Sequence, residues 1–114
     1  MKALLEKNDI NSEELAKLLQ AREAGEVDFL LIDVREDMEY KMEYITGVDM
    51  LKPTTQFQNW AQALFDEVAD KTVIFTCRTG NRSGQVQQVF QQNGHKHVIN
   101  HYGGIVTYTG EKTR

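Results

Sequence analysis

Apolar residues fall into short blocks separated by polar punctuation. Leu15, Leu18 and Leu19 recur at i, i+3 and i+4, the spacing of one helix face. Asn11 stands before them as a cap with Glu14 three residues on, a capping-box arrangement. Gly25 is the predicted stop. Phe29–Ile32 is then continuously apolar and ends in Asp33-Val34-Arg35. Continuous rather than alternating apolarity predicts a strand buried on both faces. The run Glu36-Asp37-Met38-Glu39 suits the first turn of a short helix and reads as a solvated face. Beyond Pro53, Thr54 or Thr55 can cap a longer helix with the stripe Phe57, Trp60, Ala61, Leu64, Phe65 and Val68, in clean helical period. Thr72–Thr76 reads as a second strand. Ser83–Asn93 reads as a helix with Val86, Val89 and Phe90 inward and five glutamines outward, ended by Gly94. His97–Asn100 is a third strand. Gly103-Gly104 opens a tight turn, and residues 107–114 look like a frayed, flexible tail.

Strands alternating with helices predict an α/β fold with a mainly parallel central sheet and helices on both faces. The 114 residues contain one Pro and no linker-like stretch, so residues 1–114 read as a single domain with its core over 9–108. In such folds ligands sit beyond the carboxyl ends of the strands, which is where Cys77 falls.

Composition narrows the functional classes. The net charge of −4 argues against a general nucleic-acid or membrane-surface binder. No apolar run approaches the roughly 20 residues of a membrane span. The amino terminus meets charge too early for a signal peptide. The expectation is a soluble cytoplasmic protein. A single cysteine excludes an intrachain disulfide and any multi-cysteine metal cluster. His95, His97 and His101 read as solvated or structural, with no third ligand and nothing to fix one beside Cys77. No metal or cofactor is expected, and Trp60 reads as core.

The chemistry concentrates in Cys77-Arg78-Thr79-Gly80-Asn81-Arg82-Ser83. A strand delivers the cysteine, and a helix begins at or just after Arg82. Such a loop turns successive amides toward one point, and the helix adds its positive end. Arg78 and Arg82 add full charges. All three favour thiolate over thiol and hold an anionic substrate against the sulfur. Gly80 permits a backbone that a side chain resists. The amides of residues 78–82 are the expected cradle, and which arginine touches substrate stays open.

The same segment resembles the active-site loop of rhodanese-like single-domain sulfurtransferases, Cys-Arg-x-Gly-x-Arg-Ser/Thr, at every specified position. Asp33-Val34-Arg35 and Glu39-Tyr40 are similar to that family's Asp-Val-Arg box and Glu-Tyr pair. Ser12-Glu13-Glu14-Leu15 and Gly103-Gly104-Ile105 match its opening helix and closing segment. The chain departs from the family pattern at Glu43-Tyr44-Ile45-Thr46-Gly47-Val48 and at Tyr108, where a Trp is usual, and its closing helix is short or missing.

The resemblance implies that Cys77 takes a sulfane sulfur from thiosulfate, polysulfide or a persulfide, and passes it to a thiol, a protein acceptor or cyanide. Arg78, Thr79, Gly80, Asn81 and Arg82 are then substrate-binding candidates. Asp33, Arg35 and Ser83 are supporting candidates, with Arg35 as an ion pair that fixes the loop and direct contact with substrate as its alternative. Cysteine phosphatases and some arsenate reductases place five residues between Cys and Arg. Here four intervene, and Ser83 occupies the phosphatase position. That alternative, and a non-catalytic module on the same fold, rank below sulfur transfer. A single domain leaves the loop open to a partner or to a homodimer that covers it.

Overall fold

A computed structural model describes residues 1–114. Its main sheet has five parallel strands: β1 (Asp9–Ile10), β2 (Leu30–Asp33), β4 (Met50–Leu51), β5 (Val73–Thr76) and β6 (Val98–His101), in the order β1-β6-β5-β2-β4. Helices α1 (Ser12–Glu23), α2 (Asp37–Met42), α3 (Phe57–Glu67) and α4 (Asn81–Gln92) connect them. A second ribbon pairs β3 (Tyr44–Ile45) with β7 (Lys112–Thr113), antiparallel.

Register explains the two-sided burial. Leu31, Ile74 and Ile99 stand side by side across three strands. They face Leu15 and Leu18 of α1 together with Ile105 and Tyr108. Their neighbours Ile32, Val73, Phe75 and Val98 alternate to the other face. There they meet Trp60 and Leu64 of α3 and Val86 and Phe90 of α4. Phe90 packs edge-on against Phe75 and Phe65, with centroids 5.2 and 5.4 Å apart. The expected α/β layering is present, with helices on both faces.

Several local expectations need correction. Residues 107–114 do not fray: Tyr108 is buried, and the last residues close a ribbon through Thr46 N to Glu111 O, with Thr46 and Thr113 hydroxyls bonded to each other. Val89 is exposed, whereas Gln87 is buried. Gln87 Nε2 donates to the carbonyls of Val98 and Asn8, acceptors at a sheet edge that a valine would leave unmet. Thr54 and Thr55 form a 3-10 turn rather than a side-chain cap, because Glu36 captures both hydroxyls. The Asn11–Glu14 capping box is present in full.

His101 closes the sheet at the loop end. Its side chain is fully buried. Nδ1 bonds the Thr76 hydroxyl and Nε2 the Ser12 hydroxyl, both at 2.8 Å. Ser12 in turn meets Thr107 Oγ1 at 2.7 Å. Burial pushes His101 down to about 4 from its ordinary 6.5. The unfolded chain therefore binds the extra proton first. This contribution is complete above pH 6.5 and is lost as pH falls toward 4, at about 1.4 kcal/mol per unit. Urea titrations at pH 7 and pH 4.5 are expected to show this loss in the wild type. His101→Asn should be less stable at pH 7 but lose less on acidification. An equal pH slope in the two proteins would refute the assignment.

Candidate active site

β5 ends at Thr76, and Cys77 begins the loop with its side chain inside the α3/α4 core, 1% exposed. Gly80 is the N-cap of α4, in the left-handed region at φ 97°. That turn folds the chain back over the sulfur. Gly80 N donates to Cys77 Sγ at 3.1 Å, Ser83 N at 3.4 Å and Ser83 Oγ at 3.3 Å. The helix starts at Asn81, two residues earlier than expected, so its first turn sits directly over the sulfur. Burial opposes ionisation of Cys77. The Ser83 hydroxyl, then the amides of Ser83, Gly80 and Thr79, outweigh it, and the thiol lies below its ordinary range. The amides of Arg78, Asn81 and Arg82 donate to no acceptor in the protein. The expected cradle thus divides. Gly80, Ser83 and Thr79 face the sulfur, while the amides of Arg78, Asn81 and Arg82 are free to meet an anion placed above it.

The loop is clamped from behind. Ile105 N donates to Cys77 O at 2.9 Å, and Val106 N to Arg78 O at 3.2 Å. Gly104, at φ 66°, brings its backbone against the Arg78 carbonyl so closely that no Cβ fits. Asn100, on β6, donates from Nδ2 to Gly80 O at 3.2 Å and accepts from Ser83 Oγ at 2.6 Å. The one Ser83 hydroxyl proton is therefore shared between Asn100 Oδ1 and Sγ. Ser83→Ala removes it and should move the pH midpoint of Cys77 alkylation upward. An unchanged midpoint in an iodoacetamide rate–pH profile would show that the amides alone hold the thiolate.

The arginines take distinct places. Arg35 is buried and paired with Asp33, with Nε 3.0 and 3.1 Å from the two carboxylate oxygens and Nη2 at 2.9 Å. Arg35 Nη2 also donates to the Glu43 carbonyl at 2.7 Å. It fixes the chain entering and leaving α2. Arg82 is bidentate to Glu39 at 2.8 and 2.9 Å. These bonds hold the Glu39 carboxyl down to about 2. Arg78, Thr79 and Asn81 have exposed side chains.

The acidic run is thus only in part a solvated face: Asp37 and Met38 are exposed, while Glu36 and Glu39 are tied to the protein. Glu39 spans from α2 to α4, while Glu36 ties α2 to Thr54 and Thr55. Glu39, Asn100 and Gly104 are the contributors that sequence reasoning missed. Glu39-Tyr40 and Gly103-Gly104 stood out as motif positions, without a role. Asn100 carried no signal. His95 is buried, with Nε2 2.7 Å from the Val68 carbonyl, well along the chain from this loop.

The description "Rhodanese-like domain" matches residues 13–111. Over 80 residues the chain is 36% identical to Rhodanese-like/PpiC domain-containing protein 12, chloroplastic, of Arabidopsis thaliana, covering 69% of this chain and 26% of that protein. It is 29% identical over 108 residues to tRNA uridine(34) hydroxylase of Bacillus cytotoxicus, covering 89% of this chain and 33% of that one. The chain spans about a quarter to a third of the length of these relatives. Among solved structures, the human single domain sulfurtransferase TSTD1 superposes with a TM-score of 0.71 at 21% identity, over 89% of this chain and 94% of that one. No helix is long and apolar enough to cross a membrane. With a match that takes in both the Asp33–Arg35 pair and the Cys77 loop, the chain belongs to the rhodanese-like domain family.

Proposed function

We propose that this domain is a sulfurtransferase that carries a sulfane sulfur as a persulfide on Cys77. The observation that carries the reading is the sulfur itself: a buried thiol, acidified by Ser83 and Gly80, beneath amides with no acceptor. The Cys77 thiolate attacks the outer sulfur of an anionic donor such as thiosulfate or polysulfide. A new S–S bond forms. The donor's S–S bond breaks, and sulfite or a shorter polysulfide leaves with the electron pair. The terminal sulfur left on Cys77 is anionic, and donors already in place stabilise it without reorganisation. An acceptor thiolate or cyanide then attacks that terminal sulfur and returns Cys77 as thiolate, completing a two-step covalent cycle. No second cysteine exists in the chain, so discharge goes to an outside acceptor.

The phosphatase alternative fares worse. A phosphate loop needs an arginine fork aimed into the cradle, and the Arg82 fork is engaged by Glu39. The hydroxylase activity in one relative's name belongs to a protein about three times as long and lends this domain no substrate. Purified protein incubated with thiosulfate or polysulfide should gain the mass of one sulfur at Cys77. Cyanide or a dithiol should remove it. No adduct with any of several donors would overturn the reading, and release of phosphate from an aryl phosphate would favour the phosphatase.

A further inference from the structure

A depression of about 480 Å³ lies between α1 and the β3–β7 ribbon. It opens on the side of the sheet opposite the core that holds Cys77. Its volume is within the roughly 300–1,000 Å³ of small-molecule sites. Ala16 and Leu19 give it an apolar wall, and Tyr108 stands at its floor. Tyr108 is only 4% exposed, and its ring packs edge-on against His101 with centroids 6.1 Å apart. Its hydroxyl bonds no protein atom, yet no fully enclosed polar atom lacks a partner. The hydroxyl therefore opens into the depression that the residue lines. The Gly110 backbone leans over it so closely that a Cβ there would overlap the oxygen. Burial, then the charge of Glu111, push the hydroxyl up from its ordinary 10.0, so at neutral pH it stays an uncharged donor and acceptor.

The charges around the depression are unevenly used. Arg22 is its one cation, and it is committed. Arg22 Nη1 donates to Asp49 Oδ2 at 2.7 Å and Nη2 to the Gly47 carbonyl at 2.6 Å. Glu23 and Glu111 also line the depression, and neither has a cationic partner. Glu111 is brought beside α1 only because the carboxyl-terminal residues pair with β3. Two unmatched carboxylates and a free hydroxyl thus border an apolar wall.

We propose that this depression is a second binding site, and that it takes a small aliphatic primary amine in its ammonium form. An ammonium carries three N–H donors and no acceptor. Glu23, Glu111 and the Tyr108 oxygen are three acceptors for them, and the alkyl chain lies along Ala16 and Leu19. A carboxylate of the same length is repelled by both glutamates. A neutral alcohol keeps the apolar contact but forfeits the two ion pairs. The site shares no residue with the Cys77 loop, so it stands or falls apart from the persulfide reading.

The probe is n-butylammonium, titrated into the full chain at pH 7 and followed by two-dimensional NMR. n-Butanol and butyrate are its neutral and anionic counterparts. Butylammonium should give saturable shifts at the amides of Leu19, Glu23, Gly47, Gly110 and Glu111. Butanol should bind at least fivefold more weakly, and butyrate should not shift these residues. Tyr108→Phe should weaken butylammonium about tenfold, the size of one hydrogen bond to a charged group. Glu23→Gln and Glu111→Gln should each cost about twofold to fivefold, as half-exposed ion pairs do. Glu67→Gln, the same charge change at the end of α3, should leave binding unchanged. A denaturant midpoint separates loss of the site from loss of the fold. Tyr108→Phe should keep that midpoint, because the hydroxyl it removes bonds nothing in the protein. Should that variant fail to fold, the two glutamine variants, at exposed side chains, still decide. No saturable shift at these residues would overturn the proposal. Equal binding of butylammonium and butanol, or full affinity in both Glu23→Gln and Glu111→Gln, would do the same. Equal loss in Glu67→Gln would reduce the effect to net charge and overturn it too.

Discussion

Cys77→Ser is expected to reduce sulfur uptake to background while leaving a folded protein. The two halves of this outcome have different causes. Oxygen cannot carry a sulfane sulfur as a persulfide does. A serine hydroxyl also ionises far above a thiol, so the donors that acidify Cys77 do not produce an alkoxide near neutral pH. The fold survives because the substituted oxygen inherits the donors. The amides of Gly80 and Ser83 and the Ser83 hydroxyl point at the same place, so a buried hydroxyl there is satisfied. The remaining cost is the apolar side of the pocket, where Cys77 packs with the Phe75–Phe90 cluster. A net loss of about 1–2 kcal/mol covers a satisfied polar group replacing a soft apolar one. Mass spectrometry after exposure to donor, and a denaturant midpoint, check both halves. Sulfur uptake persisting in Cys77→Ser would remove the basis of the assignment, and a protein that fails to fold would show that the cradle does not accept oxygen.

What the chain reveals in advance depends on how local each interaction is. The stripe from Phe57 to Val68 forms α3 because its period is written in consecutive residues. The loop from Cys77 to Ser83 was visible for the same reason: strand end, glycine and helix start adjoin. The two-residue strands β1, β3, β4 and β7 have no period to read, and their pairing joins distant segments such as Asp9 with Asn100. The ion pair of Glu39 with Arg82 crosses 43 positions, so Glu39 looks solvated until the sheet brings α2 against α4. Val89 and Gln87 exchanged their expected faces because apolar size alone set the phase of α4. The two carbonyls that need the Gln87 amide belong to residues 8 and 98, and nothing near position 87 announces them. Asn100 is the same case. An asparagine in a strand carries no signal, yet it orients both Ser83 and the Gly80 carbonyl.

The loop's dependence on glycine yields the other large expected effect. Gly80→Ala should destabilise the protein by about 2–5 kcal/mol and slow sulfur uptake at least tenfold. Two costs add. At φ 97° an alanine pays the left-handed penalty of about 1–2 kcal/mol. Its Cβ would also lie inside the contact distance of the Tyr102 carbonyl. That atom is backbone, fixed by Tyr102 N bonding to Ile10 O at 3.1 Å, so it cannot swing aside as a flexible side chain would. Relief requires residue 80 to move, which withdraws its amide from Sγ and its carbonyl from Asn100. The thiol then loses a donor while its burial remains, so its pKa should rise together with the stability loss. Denaturation midpoint, alkylation–pH profile and sulfur uptake should therefore change together. If stability falls but the thiol's titration does not move, the Gly80 amide is not part of what acidifies Cys77. If neither moves, the close approach to Tyr102 does not constrain the loop.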